Sequence, residues 1–284
     1  MKTRQFGVST HLYHNQRLSR EHLEEIAGHG FETVEVFATR THFDYHNTAS
    51  IADLRQWLAE AGLDLHGIHA PVGESFSGGR WGPPLTLASA DENARARAMV
   101  EAERALHIAR WIPAKVMVVH LGLSRTLRME SQLGPDNRQA ARRSIEALQA
   151  LAAPLGVRIA VEVIPNELSR AGSLVHFVEE DLDVPDVGIC LDFGHAHMDG
   201  DLVEAIETVS GHLITTHVHD NRGRTDDHLV PFEGTIDWPS ALTATQKVGY
   251  DGTLLLEIAA HGSAKETLQK ARTARQRIER LLTD

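Results

Sequence analysis

A short polar segment between residues 216 and 238 concentrates side chains that can bind metal ions. Its sequence, THVHDNRGRTDDHLVPFEGTIDW, holds His217 and His219, the acidic pair Asp226-Asp227, and His228. So many imidazoles and carboxylates are costly to bring together unless they bind something. The segment follows an apolar run typical of a β-strand and precedes a helix start at residues 237–239. We therefore expect a strand whose C-terminal end and following loop carry ligands.

Residues of the same types end the other apolar runs of the chain. Six consecutive runs end in His69, His120, Glu162, Asp192, His217 and Glu257. The adjoining loops add His195, Asp226 and His228. Each residue alone could be a structural hydrogen-bonding or ion-pairing group. Glu162 and Glu257, however, follow apolar residues, where a carboxylate is costly to bury unless it is paired or bound to a cation.

The elements that position these residues repeat eight times along the 284 residues. The expected strands are 5–9, 33–37, 64–69, 115–120, 157–163, 186–192, 212–218 and 252–257. The expected helices are 19–30, 50–62, 91–110, 135–156, 173–182, 202–209, 239–248 and 264–282, and residues 71–84 form a glycine-rich loop. Capping residues and apolar stripes at helical spacing support the helices. Such alternation predicts an α/β fold with a parallel sheet, and eight units favour a closed (β/α)8 TIM barrel over an open sheet.

No linker or shift in composition divides the chain, so we expect residues 1–284 to form a single TIM-barrel domain. In such a barrel the C-terminal ends of the strands meet on one face, where barrel enzymes build their sites. The six strand-end residues should therefore lie together. Mixed carboxylate and imidazole ligands suit manganese, cobalt or zinc, with magnesium as a further candidate, and the lack of a cysteine cluster argues for a catalytic metal site.

The composition of the chain disfavours some classes of binding partner. The net charge of -11 and the lack of a basic run disfavour a nucleic-acid partner. No apolar run approaches the roughly 20 residues of a membrane helix, so we expect no membrane insertion. Nothing at the N-terminus is typical of a signal peptide, and Cys190 is the single cysteine, most simply a small core residue. These features indicate a cytoplasmic enzyme.

Six segments make the chain resemble the xylose isomerase-like barrel superfamily over nearly its whole length: VEVIPNE, LDFGHAH, HVHDN, LLLEI, HAPVGES and DDHLVPFEGTIDW. The resemblance to its sugar isomerase and epimerase branch implies one divalent metal held by Glu162, Asp192, His217 and Glu257. The branch of endonuclease IV-type apurinic-site nucleases uses three zinc ions, and its additional ligand positions match His69, His120, His195, Asp226 and His228. Residues 217 and 219 share a strand face, so spacing alone does not separate them. Phe232 stands where the pattern usually has the first glycine of Gly-Glu-Gly.

Two enzymatic functions follow from this resemblance. The first is a metal-dependent isomerase or epimerase of a keto-sugar, sugar acid or polyol-like substrate, in which the metal stabilises an enediolate and Glu162 and Glu257 move the carbon-bound proton. His195 would help to move the hydroxyl proton, and no organic cofactor is needed. The residues expected to contact a small carbohydrate substrate are His69, Glu35, Asn166, His219 and Arg224, with the loop of His11, Tyr13 and His14. Homodimers and homotetramers are common in this family.

The alternative is a zinc-dependent phosphoesterase with a polynuclear site and a metal-bound hydroxide as nucleophile. The full ligand set favours it, and the arginines of the predicted loops could bind a small phosphorylated substrate: Arg80, Arg125, Arg128, Arg222 and Arg224. The net charge of -11 argues against binding to duplex DNA. A barrel that only binds a sugar or a metal is a third interpretation. We favour the isomerase or epimerase.

Overall fold

A computed structural model describes residues 4–124 and 136–283 of the chain. In this part, ten strands occur: β1 (Phe6–Ser9), β2 (Thr33–Phe37), β3 (Asp64–His69), β4 (Phe76–Ser77), β5 (Arg80–Trp81), β6 (Val116–Val119), β7 (Arg158–Glu162), β8 (Gly188–Asp192), β9 (Leu213–Val218) and β10 (Leu254–Leu256). Eight of them close into a parallel barrel in the order β1-β10-β9-β8-β7-β6-β3-β2. The predicted (β/α)8 barrel is thus confirmed. The antiparallel pair β4-β5 lies outside it.

Helices follow the barrel strands. They are α1 (Arg20–Gly28), α2 (Thr48–Ala61), α3 (Glu92–Leu106), α4 (Arg138–Ala152), α5 (Ala171–His176), α6 (Phe193–Asp199), α7 (Leu202–Thr208), α8 (Trp238–Lys247) and α9 (Ala264–Leu281). Single turns of 3-10 helix occupy Thr10–Tyr13, His107–Arg110 and Ala153–Leu155, and a π-helical turn spans Phe177–Asp181. No helix in the described ranges is both long and apolar enough to cross a membrane.

The core lies between the barrel and this ring of helices. The predicted apolar stripe of α9 is buried against the barrel at Leu268, Ala271, Ala274 and Ile278. Every residue of β8 is buried, including Cys190 in the barrel interior, as expected for a parallel strand covered on both faces. This closed packing fixes the positions at which the strand-end side chains emerge.

Some helix boundaries differ from the expectation. Helix α2 begins at Thr48 rather than residue 50, because the side chain of Asn47 accepts the N–H of Ala49 and caps the helix there. Its end at Gly62 agrees with the prediction, and Gly62 has the left-handed φ of 68° that a glycine C-cap provides. Helix α4 begins at Arg138, capped by the side chain of Asn137. Pro135, the predicted start, lies outside the described residues, as do Arg125 and Arg128.

One helix and one two-stranded hairpin were not predicted. Helix α6 directly follows β8, because Asp192 ends the strand and its carboxylate accepts the N–H of His195 at 2.7 Å. The sequence FGHAHMD has no apolar stripe to indicate a helix. Within the predicted glycine-rich loop, β4 and β5 form a hairpin that carries Phe76 and Trp81. The rings of these two residues meet edge to face with centroids 4.9 Å apart.

Candidate metal centre

Four side chains from the last four barrel strands converge at the C-terminal end of the barrel. Glu162, Asp192, His217 and Glu257 place one donor atom each within 4.8 Å of all the others. All four residues are buried. Three carboxylates this close repel each other unless positive charge lies between them, and Oδ2 of Asp192 has no hydrogen-bond partner. The donor set therefore fits a divalent metal ion, and we name these four residues the core group.

The imidazole of His217 lies at the centre of the core group. Its Nδ1 is 3.2 Å from Oε1 of Glu162 and 3.5 Å from Oε2 of Glu257. Burial disfavours the charged imidazole, but the anionic groups around it raise the pKa of His217 well above the ordinary value. Burial likewise opposes the charge of Glu162, yet His217 and His120 hold the pKa of this carboxyl well below its usual range. These carboxylates thus require positive charge, which either protonated histidines or a metal ion can supply.

The second oxygen of Glu162 faces another candidate group. Its Oε2 lies 3.2 Å from Nε2 of His69 and 2.9 Å from Nε2 of His120. These three residues also satisfy the distance requirement for a metal ion, and so do His69, His217 and Glu257 together. Glu162 therefore lies between two potential sites.

A third group surrounds Asp226, in the loop after β9. Oδ2 of Asp226 is 3.0 Å from Nε2 of His195 and 3.3 Å from Nε2 of His228, and His219 completes this loop group. Burial disfavours the charged form of His228, but Asp226 raises its pKa to about 10. Nε2 of His219 lies 3.0 Å from Oδ1 of Asp192 but is not aligned for a hydrogen bond. The loop group can thus be an ion-pair network or a set of metal ligands.

A cavity of about 570 Å³ opens above these groups. Its polar lining residues are His69, His120, His195, Asp226, His228 and Glu257. The rings of His11, His14, Phe37 and Trp81 also line it, and Arg224 and His261 border the cavity. A cavity lined by both potential metal ligands and aromatic rings suits a small ligand that has both hydroxyl groups and an apolar face.

The predicted substrate contacts divide into two sets. His69 and Arg224 line the cavity, as do His11 and His14. Glu35, Asn166 and His219 do not, and their placement differs from our expectation. Asn166 shapes a loop, because its Oδ1 accepts the N–H groups of Leu168 and Ser169.

Glu35 and His219 are fully buried, and His219 belongs to the loop group rather than to the cavity lining. Tyr13 is also buried, and its hydroxyl donates to Glu25 at 2.7 Å rather than facing the cavity. The cavity residues Phe37, Met198 and His261 were not predicted, because nothing in their local sequence distinguishes them from core or surface residues. His11 is buried, and its Nδ1 has no hydrogen-bond partner.

Phe232 adopts a backbone conformation that favours glycine. Its φ is 75°, in the left-handed region that costs an ordinary residue about 1–2 kcal/mol. Two positions later, a side chain on Gly234 would lie 2.2 Å from the carbonyl oxygen of Asn221. The loop after β9 therefore contains a strained residue at position 232 and a close backbone approach that requires glycine at position 234.

Comparison with protein families shows what class of protein this geometry belongs to. Residues 23–282 match the family described as xylose isomerase-like TIM barrel, and the chain belongs to that family. An uncharacterised protein of Methanocaldococcus jannaschii is 28% identical over 89% of this chain and 83% of its own length. An inosose isomerase of Bacillus velezensis is 23% identical, with 98% of this chain and 96% of the isomerase covered.

Solved structures with the same fold include proteins related to sugar epimerases. A D-tagatose 3-epimerase-like protein is 25% identical and superposes with a TM-score of 0.76, covering 98% of this chain and 97% of the other. The IOLI protein with a bound zinc atom shares the fold at 17% identity, with a TM-score of 0.75 and coverage of 97% and 98%. The relatives with named activities are thus sugar isomerases and epimerases, which supports an enzyme of that family.

Proposed function

We propose that this chain is a divalent-metal-dependent isomerase or epimerase of a keto-sugar, sugar acid or polyol-like substrate. The observation that carries the proposal is the core group, in which three carboxylates and one imidazole lie within mutual reach of a single ion. Glu257, the member that also lines the cavity, brings this group to the substrate side. The named relatives support the substrate class, since they act on sugars or inosose.

The core group would hold manganese, cobalt or zinc, with magnesium as a further candidate. A bound ion supplies Lewis acidity, polarising a substrate carbonyl and stabilising negative charge that develops on it. Glu257 faces the cavity and would take or return the proton on carbon. Glu162 is the second acid or base, and its Oε2 contacts with His69 and His120 connect it to the cavity wall. His195 also lines the cavity and would move a hydroxyl proton.

One observation favours a second candidate function, zinc-dependent phosphoester hydrolysis. The group of His69, His120 and Glu162 shares Glu162 with the core group, and the loop group lies beside Asp192. Polynuclear sites of this kind stabilise the attacking and leaving oxygens of a phosphoester. The loop group, however, is already balanced as an ion-pair network around Asp226, and His219 gives it four protein donors. These ion pairs account for the loop group without a metal ion, so this group does not itself require hydrolytic chemistry.

Proton exchange tests the proposal most simply. Protein stripped with a chelator and reloaded with manganese, cobalt, magnesium or zinc is incubated in D₂O with keto-sugars, inosose-like polyols and phosphorylated sugars. We expect deuterium at the carbon next to the carbonyl, and isomerised product, with at least one substrate. Phosphate release from a phosphoester, without carbon-bound exchange in any sugar, would support hydrolysis instead.

A further inference from the structure

The carboxylate of Glu35 meets the core group from inside the barrel. Glu35 lies on β2 and His217 on β9, and these strands are not neighbours in the barrel, so their side chains meet across its interior. Oε2 of Glu35 is 3.1 Å from Nε2 of His217, and both side chains are fully buried. Glu35 lies two residues before Phe37, which lines the cavity, whereas Glu35 itself does not. It therefore contacts the protein rather than a ligand in the cavity.

The contact determines which nitrogen of His217 faces the metal site. A carboxylate only accepts hydrogen bonds, so Nε2 must carry the hydrogen and donate it to Glu35. In the neutral imidazole the lone pair then lies on Nδ1. Nδ1 is the atom that faces Glu162 and Glu257, at 3.2 and 3.5 Å. Nδ1 also hydrogen-bonds Oε1 of Glu162, so both nitrogens carry hydrogen when no metal is bound. A metal ion in the core group would take the place of the hydrogen on Nδ1, and Glu35 would keep the hydrogen on Nε2.

We propose that Glu35 is a positioning residue that fixes the orientation and tautomer of His217 and so raises the metal affinity of the core group. The inference rests on the proposed metal-dependent function. A carboxylate behind a ligating imidazole also increases the basicity of the ligand, and removal of such a partner typically lowers metal affinity about 10–100-fold. Glu35 thus acts on the metal through His217, without touching either metal or substrate.

The interior of the barrel is shaped around this carboxylate. Gly67 on β3 pairs with Glu35, and a side chain at this glycine would lie 2.9 Å from Cγ2 of Val116 and 3.4 Å from Oε2 of Glu35. The other oxygen of Glu35, Oε1, has no hydrogen-bond partner. Burial of a carboxylate is costly unless a partner compensates it. The retention of Glu35 here is explained if its other oxygen holds the Nε2 hydrogen of His217 and orients the imidazole toward the core group.

Measurement of metal affinity distinguishes a positioning role of Glu35 from a role in packing alone. Chelator-stripped wild type, Glu35→Gln and Glu35→Leu are titrated with Co²⁺ in competition with a chromophoric chelator, and the visible absorption of bound Co²⁺ is recorded. We expect affinity to fall about 10–100-fold in Glu35→Leu and less in Glu35→Gln, which keeps the shape and can still accept from Nε2. The Co²⁺ spectrum should shift in Glu35→Leu. Thermal unfolding of the metal-free proteins reports any general loss of stability.

A matched control is available at another polar contact across the barrel. Nε2 of His66 on β3 hydrogen-bonds Oγ1 of Thr215 on β9 at 2.9 Å, and His66 belongs to none of the candidate metal groups. His66→Gln should therefore keep the Co²⁺ affinity and spectrum of the wild type. ¹⁵N-histidine spectra of metal-loaded wild type should show His217 as the Nε2–H tautomer. The signal of His217 is assigned as the one that is missing in His217→Gln.

The outcomes distinguish the two proposals. If wild type binds Co²⁺ and both Glu35 variants match its affinity within twofold with an unchanged spectrum, Glu35 has no positioning role while the metal centre stands. If His66→Gln lost as much Co²⁺ affinity as the Glu35 variants, the loss would reflect general packing of the barrel interior and would contradict the positioning role of Glu35. If wild type itself binds no divalent ion, the proposed metal centre fails, and the role of Glu35 fails with it.

Discussion

The ring of His219 occupies the space that a side chain on Gly194 would need. A β-carbon built on Gly194 would lie only 2.0 Å from Cε1 of His219. His219 in turn lies 3.0 Å from Oδ1 of Asp192, a member of the core group. The glycine in the segment LDFGHAH therefore allows α6 and the end of β9 to approach each other, and it keeps His219 beside Asp192.

Gly194→Ala should consequently weaken both the fold and the metal site. The added methyl must displace a fully buried ring, and such overpacking typically costs about 1–3 kcal/mol. We expect a lower melting temperature and weaker Co²⁺ binding, measured by calorimetry and chelator competition. Gly172→Ala in α5 is the control, because a side chain there meets nothing within 4 Å. Unchanged metal binding in Gly194→Ala would show that His219 does not support Asp192.

Glu162→Gln and Glu257→Gln should each abolish turnover of a keto-sugar, because under the proposed mechanism each removes a proton-transferring group and a charge from the core group. General acid–base residues typically contribute about 10²–10⁴-fold to the rate, so kcat should fall at least that far. Circular dichroism should show an intact fold. Glu233→Gln is the control, because this residue of the loop after β9 pairs with exposed Lys270, at 2.8 Å, and belongs to none of the candidate metal groups. Retained activity in both variants would refute the two-glutamate mechanism.

Protonation of His42 should reduce the stability of the fold in acid. His42 is buried, with Nδ1 2.6 Å from the carbonyl oxygen of Gln16 and Nε2 3.1 Å from Oγ1 of Thr10. Burial lowers the pKa of His42 from 6.5 to about 4. Between these values the unfolded chain binds a proton that the native protein excludes, so stability is lost as pH falls below 6.5.

Above pH 6.5 His42 is neutral in both the native and the unfolded state and does not lower the free energy of unfolding. By pH 5 its protonation in the unfolded chain should lower the free energy of unfolding by about 2 kcal/mol. His42→Gln cannot titrate, so its free energy of unfolding should depend less steeply on pH. Urea unfolding of both proteins between pH 5 and 7.5 measures the difference. Parallel stability curves for wild type and variant would contradict the prediction.

At position 232, replacement by glycine should give a more stable protein than replacement by alanine, the reverse of the usual order. Phe232→Ala keeps the strained φ of 75° and loses ring contacts with Trp238 and Arg277. Phe232→Gly loses the same contacts but relieves the strain, so it should be the more stable variant by about 1 kcal/mol. At Val230, where φ is not positive, alanine should be more stable than glycine. The same order at both positions would show that the turn carries no strain.

The strand-end residues could be predicted because barrel geometry brings the C-terminal ends of all strands to one face. Strand boundaries alone place Glu162, Asp192, His217 and Glu257 on that face together with His69 and His120, and the family resemblance selects these four as one metal site. The places of Glu35 and His219 depend on which side chains meet across the interior or beside α6. Neither local pattern nor residue type encodes that arrangement. Asp192 illustrates the limit, because it was predicted as a ligand while its role as the cap of α6 was missed.

Metal content tests the central claim most directly. Protein purified without added chelator or metal tags, then reconstituted with manganese, cobalt or zinc and freed of excess ion, is analysed by inductively coupled plasma mass spectrometry. The core group predicts one tightly bound manganese or cobalt per chain, lost in Asp192→Asn. A value near three zinc ions per chain, retained through the same treatment, would contradict the isomerase assignment and favour the polynuclear hydrolase.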